Sequence, residues 1–112
     1  MKYKYALKFI DDNRSKTLCA VDKATRTTFV MRYDPYNRED PEDRCILLEI
    51  DIDNEELGTG EQENYDIPHQ EEECIADNPG LLAVNFFEID SEKVFDALDL
   101  EWDYKLRSLG LK

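Results

Sequence analysis

The chain of 112 residues has few of the side chains that build metal or cofactor sites, and it has no long apolar run. Its longest uninterrupted apolar stretches, such as 45–48 and 81–84, are only four residues long, which excludes a membrane-spanning helix. Lysines within the first ten residues interrupt the apolar segment that a signal peptide requires. One histidine, His69, and three widely spaced cysteines do not provide the ligand set of a zinc site. We therefore expect no metal, no cofactor, and a cytoplasmic location in which the three thiols are reduced: Cys19, Cys45 and Cys74.

The sequence motifs that identify common enzymes are also missing. There is no HExxH, CxxC, GxSxG, P-loop or GxGxxG pattern. The segment from Asp51 begins like a calcium loop, but Glu56 stands where a glycine is needed and Gln62 where a bidentate glutamate is needed. Pairs of carboxylates are abundant, yet nothing indicates the pocket that would raise the pKa of one member. We predict that the protein is not an enzyme.

Basic residues are scarce and unevenly placed. The chain has 27 acidic and 14 basic residues, a net charge of −13 and a pI near 4.4. Residues 1–48 carry a balance of +2 and residues 49–112 a balance of −15. Between Arg44 and Lys93 there are fifteen acids and no base. This balance excludes direct binding to nucleic acid or to an anionic membrane, and it favours a basic protein as partner.

The apolar pattern predicts one domain of the α+β class. Strands are expected at 2–10 and 44–53, where apolar and polar residues alternate, and also at 17–21, 27–33 and 81–89, the last apolar on both faces near its start. The first three are expected to form a meander.

Two further segments connect the predicted strands. Residues 54–67 are predicted as a mobile acidic loop. Residues 68–77 fit either a short helix with Pro68 at its first position or a hairpin with the last strand, and we favour the helix.

The end of the chain, 91–109, predicts a helix with well-marked ends. Asp90 or Ser91 can cap its first turn, and Gly110 follows as a stop signal. An apolar stripe is expected to pack this helix on one face of an antiparallel sheet of about five strands; it consists of Val94, Phe95, Leu98, Trp102, Leu106 and Leu109.

Acidic residues recur at regular spacing on two predicted elements. The C-terminal acidic row lies on one side of the predicted helix and is about 16 Å long; it consists of Glu92, Asp96, Asp99 and Asp103. The strand acidic row alternates with apolar residues along 44–53; it consists of Glu49, Asp51 and Asp53. A third cluster is Glu71, Glu72 and Glu73. Leu100 and Tyr104 lie beside the C-terminal acidic row and away from the apolar stripe, so either the helix bends near Leu100 or these residues are apolar contacts at an interface.

These acids predict a partner-binding surface. Rows of fixed negative charge can replace nucleic-acid phosphates in a groove lined by lysine and arginine. The sequence therefore favours an inhibitor that occupies the basic nucleic-acid-binding site of another protein, such as a phage anti-CRISPR or anti-restriction protein. Two alternatives remain: an immunity protein that neutralises a nuclease toxin, and an acidic structural or adaptor protein whose charge only maintains solubility.

Overall fold

The computed structural model describes residues 1–34, 45–54 and 59–112 and places within them a five-stranded antiparallel sheet with helices, which confirms the predicted α+β class. The strand order is β4–β3–β2–β1–β5. In chain order the elements are α1 (Tyr3–Asp12), β1 (Thr17–Asp22), β2 (Thr27–Tyr33), β3 (Ile46–Asn54), β4 (Thr59–Ile67), α2 (Glu71–Asp77), a 3-10 helix (Pro79–Leu82), β5 (Phe87–Ile89), a second 3-10 helix (Ser91–Lys93), α3 (Val94–Leu98) and α4 (Trp102–Ser108).

The first segment was predicted as a strand and is a helix, α1. Its apolar residues fit both periods, and the helical period decides the structure because Tyr3, Ala6 and Ile10 are at most 1% exposed. Tyr5, which a strand would have buried together with Tyr3, is 73% exposed. The predicted three-strand meander beginning at residue 2 is therefore wrong, and the meander runs instead from β1 to β4.

The sheet is covered on both faces, whereas the sequence predicted a helix on one. Alternate residues of each strand point to opposite faces. Residues such as Leu18, Phe29 and Leu48 point to the main core, which α1 and α2 close. The opposite face forms a smaller core with α3, in which Cys19 and Val30 contact Val94, Ala97 and Leu98.

The acidic segment predicted as a mobile loop contributes a full strand. From Thr59 onward it forms β4, which pairs along its whole length with β3, from Asn54↔Thr59 to Ile46↔Ile67. The strand was missed because most of its residues are polar. Its two inward-facing apolar residues are Tyr65 and Ile67, which are 7% and 2% exposed. The remainder of that predicted loop, 55–58, lies outside the described residues.

The elements on either side of β5 match the predictions in part. The short helix favoured within 68–77 is confirmed as α2, but it begins at Glu71, so Pro68 lies in the preceding turn and not at its first position. The predicted strand 81–89 is wrong over its first six residues, because Pro79–Leu82 forms a 3-10 helix and only 87–89 pairs with β1. Phe86, just before β5, instead exchanges two hydrogen bonds with residue 1: the Met1 amino group donates to its carbonyl (2.6 Å), and its N–H donates to the Met1 carbonyl (2.7 Å).

The predicted helix 91–109 is divided into a 3-10 turn and two short helices. Glu101 leaves the helical conformation with φ −56° and ψ 149°, which separates α3 from α4. The break exposes the Leu98 carbonyl at the end of α3, and the Lys105 ammonium of α4 donates to it at 3.3 Å. Gly110 ends α4 with φ +74°, as predicted, and the Leu111 N–H donates to the Leu106 carbonyl at 2.7 Å in a Schellman-type cap.

Candidate interaction surfaces

Each member of the strand acidic row has a basic partner. Arg32 donates to Glu49 through two nitrogens, at 2.7 and 2.8 Å, and the Arg26 guanidinium lies 3.3 Å from Asp53. Asp51 pairs with Lys105. The row faces the C-terminal helices, so it is not the open line of negative charge that the alternation predicted. Its part in binding a partner stays a prediction.

The Asp51–Lys105 pair is the most buried of these contacts. The Lys105 side chain is 1% exposed and that of Asp51 is 9% exposed. The Lys105 ammonium holds α4 against β3 through Asp51 and closes the end of α3 through the Leu98 carbonyl. A buried pair of this kind has a structural role, because removing either partner leaves an uncompensated charge in the interior.

The C-terminal acidic row does not form a straight line, because its members lie on separate elements. Glu92 belongs to a 3-10 turn, Asp96 to α3 and Asp103 to α4, and Asp99 lies in the break between the helices. The Gln62 side chain of β4 donates to Asp99 at 2.9 Å. Lys112 donates to Asp103 at 2.6 Å and lowers the pKa of that carboxyl group. Within the part of the chain that the structure describes, Glu92 and Asp96 make no ion pair.

Three large apolar side chains on α3, α4 and the break between them point into solvent. Leu100 is 38% exposed and Tyr104 is 62% exposed, as expected from their position outside the apolar stripe. Phe95 was predicted to lie within that stripe, but it is 72% exposed because the separation of α3 from α4 changes the direction of the stripe. Phe95 borders a recess of about 140 Å³ that it shares with Gln62 and Asp99, so an exposed aromatic ring stands beside β4.

A larger cleft of about 480 Å³ opens between the sheet and the α3–α4 break. Arg26 supports one wall, with its guanidinium 5.5 Å from the Trp102 ring centroid and beside Asp53. Gly60 forms part of another wall, where a Cβ atom would come within 3.3 Å of the Asp51 carboxylate. The described lining residues provide carboxylates, a guanidinium, an indole and apolar groups, but no hydroxyl or thiol nucleophile beside a base.

The densest unpaired negative charge lies on β4 and α2. Residues 61–77 hold seven acids and no lysine or arginine, and none of the seven forms an ion pair with any described residue. We name this set the β4–α2 acidic region; it consists of Glu61, Glu63, Asp66, Glu71, Glu72, Glu73 and Asp77. The sequence identified its α2 cluster but assigned the members on β4 to a loop.

A tyrosine joins the two elements of this region. The Tyr65 hydroxyl of β4 lies 2.9 Å from Asp77 at the end of α2 and 3.0 Å from Glu63, and both carboxylates accept from it. Burial raises the pKa of Tyr65 well above its ordinary value, and the hydrogen bonds to Asp77 and Glu63 raise it further. The hydroxyl thus fixes α2 against the strand and holds two negative charges close together.

The three cysteines are buried and form no disulfide bond. Burial raises the pKa of the Cys19 and Cys74 thiols to about 12. In the described ranges, no group of three or more histidine, cysteine, aspartate or glutamate side chains is arranged to hold a metal ion, and His69 is exposed in the turn before α2. No helix among those residues is both long enough and apolar enough to cross a bilayer.

Comparisons of the chain with protein-family models, curated proteins and solved structures gave no match.

Proposed function

We propose that this protein is a non-enzymatic inhibitor that acts in the cytoplasm by binding the basic nucleic-acid-binding site of another protein. A phage protein that blocks a CRISPR or restriction enzyme fits this description. The observation that carries the proposal is the β4–α2 acidic region, where seven acids occur without a neighbouring base in sequence or an ion pair among the described residues.

Ion pairing within the fold separates the strand acidic row from the β4–α2 acidic region. Carboxylates that already form ion pairs with Arg32, Arg26 or Lys105 contribute little field outside the protein, because each lies close to a compensating charge. The acids of β4 and α2 have no such ion pair with any described residue, so their field extends further outside the protein. Such a field accelerates association with a basic surface and favours that surface over others.

The β4–α2 acidic region is also fixed in shape. The β4 strand is paired along nine residues with β3, and α2 is attached through the buried Cys74 and the Tyr65 hydroxyl. Charges held on a rigid support lose little conformational entropy when they bind. A flexible acidic tail would have to be ordered at the same step, so it would gain less from the same number of charges.

The proposal is tested by DNA cleavage assays with purified CRISPR effector nucleases and restriction endonucleases, with and without the protein. We expect at least one enzyme to be inhibited by loss of DNA binding. We also expect the inhibition to weaken steeply between 0.1 and 0.5 M salt, because the Debye length falls from about 10 Å at 0.1 M towards about 3 Å at 1 M. Binding that is insensitive to salt, or that leaves DNA binding intact, would contradict the proposal and favour an adaptor role.

A further inference from the structure

One long edge of the sheet has no further strand beside it among the described residues. β4 stands at the end of the strand order and pairs on one side with β3 over residues 59–67. The opposite edge of the sheet is β5, which has three residues. An unpaired strand edge offers a row of backbone donors and acceptors to another extended chain.

The hydrogen-bond pattern identifies which backbone groups are open. Asp53 N–H donates to the Arg26 carbonyl at 3.0 Å, so the odd-numbered residues of β3 bond towards β2 and the even-numbered residues towards β4. The even-numbered residues of β3 pair with odd-numbered residues of β4, including Glu61 and Glu63. The Asp66 carbonyl confirms this alternation, because it turns away from β3 and accepts from Gln70 N–H at 2.9 Å.

The alternation therefore directs the backbone N–H and C=O groups of Gly60, Gln62 and Asn64 outward. All three residues are exposed, and none of their backbone groups bonds to any other described residue outside the sheet. Phe95 stands beside Gln62 on one face of this edge, and the carboxylates of Glu61 and Glu63 lie on the other face. A chain that paired here would meet an aromatic ring on one side and negative charge on the other.

Charge decides which kind of chain fits. Two copies of β4 pairing edge to edge would bring together Glu61 and Glu63 of both strands with no base between them, and like charges across a strand pair are destabilising. Lysine and arginine at alternate positions of an added strand would instead face these acids. We propose that β4 binds an extended, lysine- or arginine-rich segment of a partner protein as a sixth strand of the sheet.

This inference rests on the proposed function for the basic character of the partner, and it adds how that partner is held. Backbone hydrogen bonds along β4 supply affinity, and the alternate side chains of the added strand select for positive charge. Phe95 supplies an apolar contact beside Gln62, where the added strand would pair with β4.

The probe is a synthetic nine-residue peptide in which lysine and valine alternate, compared with a peptide of equal charge in which proline replaces valine. Proline lacks the N–H needed for pairing, so the second peptide tests charge without strand addition. We expect the lysine–valine peptide to bind about tenfold more tightly. We also expect it to slow hydrogen exchange at the amides of Gly60, Gln62 and Asn64 by about tenfold. Equal affinity of the two peptides, or unchanged exchange at these amides, would overturn the proposal.

A variant pair tests the same edge from the side of the protein. Asn64→Pro removes an outward N–H without touching the β3 ladder, a position where an edge strand accepts proline, and Asn64→Ala keeps that N–H as the matched control. We expect the lysine–valine peptide to bind Asn64→Ala within about twofold of the parent and Asn64→Pro about tenfold more weakly. If both bind like the parent, strand addition is wrong while electrostatic binding by the proposed inhibitor still stands. If Asn64→Pro does not fold, the two-peptide comparison on the parent protein decides.

Discussion

The Asp51–Lys105 pair is expected to be the ion pair on which the fold depends most. Lys105→Met keeps the length of the side chain and removes its charge, which leaves Asp51 buried without a partner. Removing one member of a buried pair costs about 3–5 kcal/mol. Because a domain of this size has a total stability of about 5–15 kcal/mol, the variant loses a large part of it.

The size of the effect follows from burial, and an exposed pair provides the control. Lys16 and Glu88 are 3.0 Å apart, but their side chains are 49% and 48% exposed. Lys16→Met is therefore expected to cost no more than about 1 kcal/mol. Urea unfolding followed by circular dichroism separates the two variants, since about 4 kcal/mol at an m-value of about 2 kcal/mol/M moves the midpoint by about 2 M.

A double variant tests whether the cost comes from an unpaired charge. Asp51→Val removes the other partner and alone is expected to cost about as much as Lys105→Met. Both changes together replace an ion pair by apolar side chains, which is close to neutral in other proteins. We expect the double variant to remain about 1 kcal/mol below the parent, because the Leu98 carbonyl still loses its donor. A double variant as unstable as the sum of the single variants would refute the reasoning.

Three further predictions concern stability and thiol chemistry. Gly110→Ala is expected to cost about 1 kcal/mol in thermal or urea unfolding, because the position has φ +74° and nothing within 4 Å obstructs the added methyl group, so only backbone strain acts. The folded state raises the pKa values of four groups, Tyr3, Tyr65, Cys19 and Cys74, so these groups ionise at lower pH in the unfolded chain. The free energy of unfolding should therefore fall as pH rises from about 9 to 11, and urea midpoints measured across this range check it. Iodoacetamide at pH 8 should label Cys19 and Cys74 of the folded protein much more slowly than a free cysteine, as peptide mass spectrometry would show, and rapid labelling would mean that these thiols are not buried.

The sequence predicted elements whose pattern is decided locally. β1 and β2 were found as short apolar runs between polar turns, β3 was found from its clear alternation, and α2 was found as a run of helix-forming residues after Pro68. The first segment failed because Tyr3 belongs to both a strand pattern and a helix pattern. Only the presence of an uncovered apolar sheet face selects the helix, and that is a property of the whole fold.

The sequence predicted how many acids each part of the chain carries, but it could not predict which of them form ion pairs in the fold. Asp51 and Lys105 are 54 positions apart, and Arg32 and Glu49 are 17 apart, so no local rule pairs them. The break at Glu101 likewise depends on what Lys105 and Trp102 contact in the sheet and its turns. For these reasons the strand acidic row is paired although it looked regular in sequence, and part of the unpaired negative charge among the described residues lies on β4, which was predicted as a loop.

The central claim is that unpaired charge on β4 and α2, and not total charge, binds a basic partner. Two variants with the same change of four charges test it. The first alters the β4–α2 acidic region through Glu61→Gln, Glu63→Gln, Glu72→Gln and Glu73→Gln. The second alters four acids that already form ion pairs, through Glu49→Gln, Asp53→Asn, Glu88→Gln and Asp103→Asn.

The measurement is the association rate of each folded variant with a nuclease that the parent protein inhibits, at 0.1 M salt. We predict that the first variant associates at least tenfold more slowly than the parent, because it removes the field that steers the encounter, and that the second stays within about threefold. Equal losses in the two variants, or a larger loss in the second, would contradict the account.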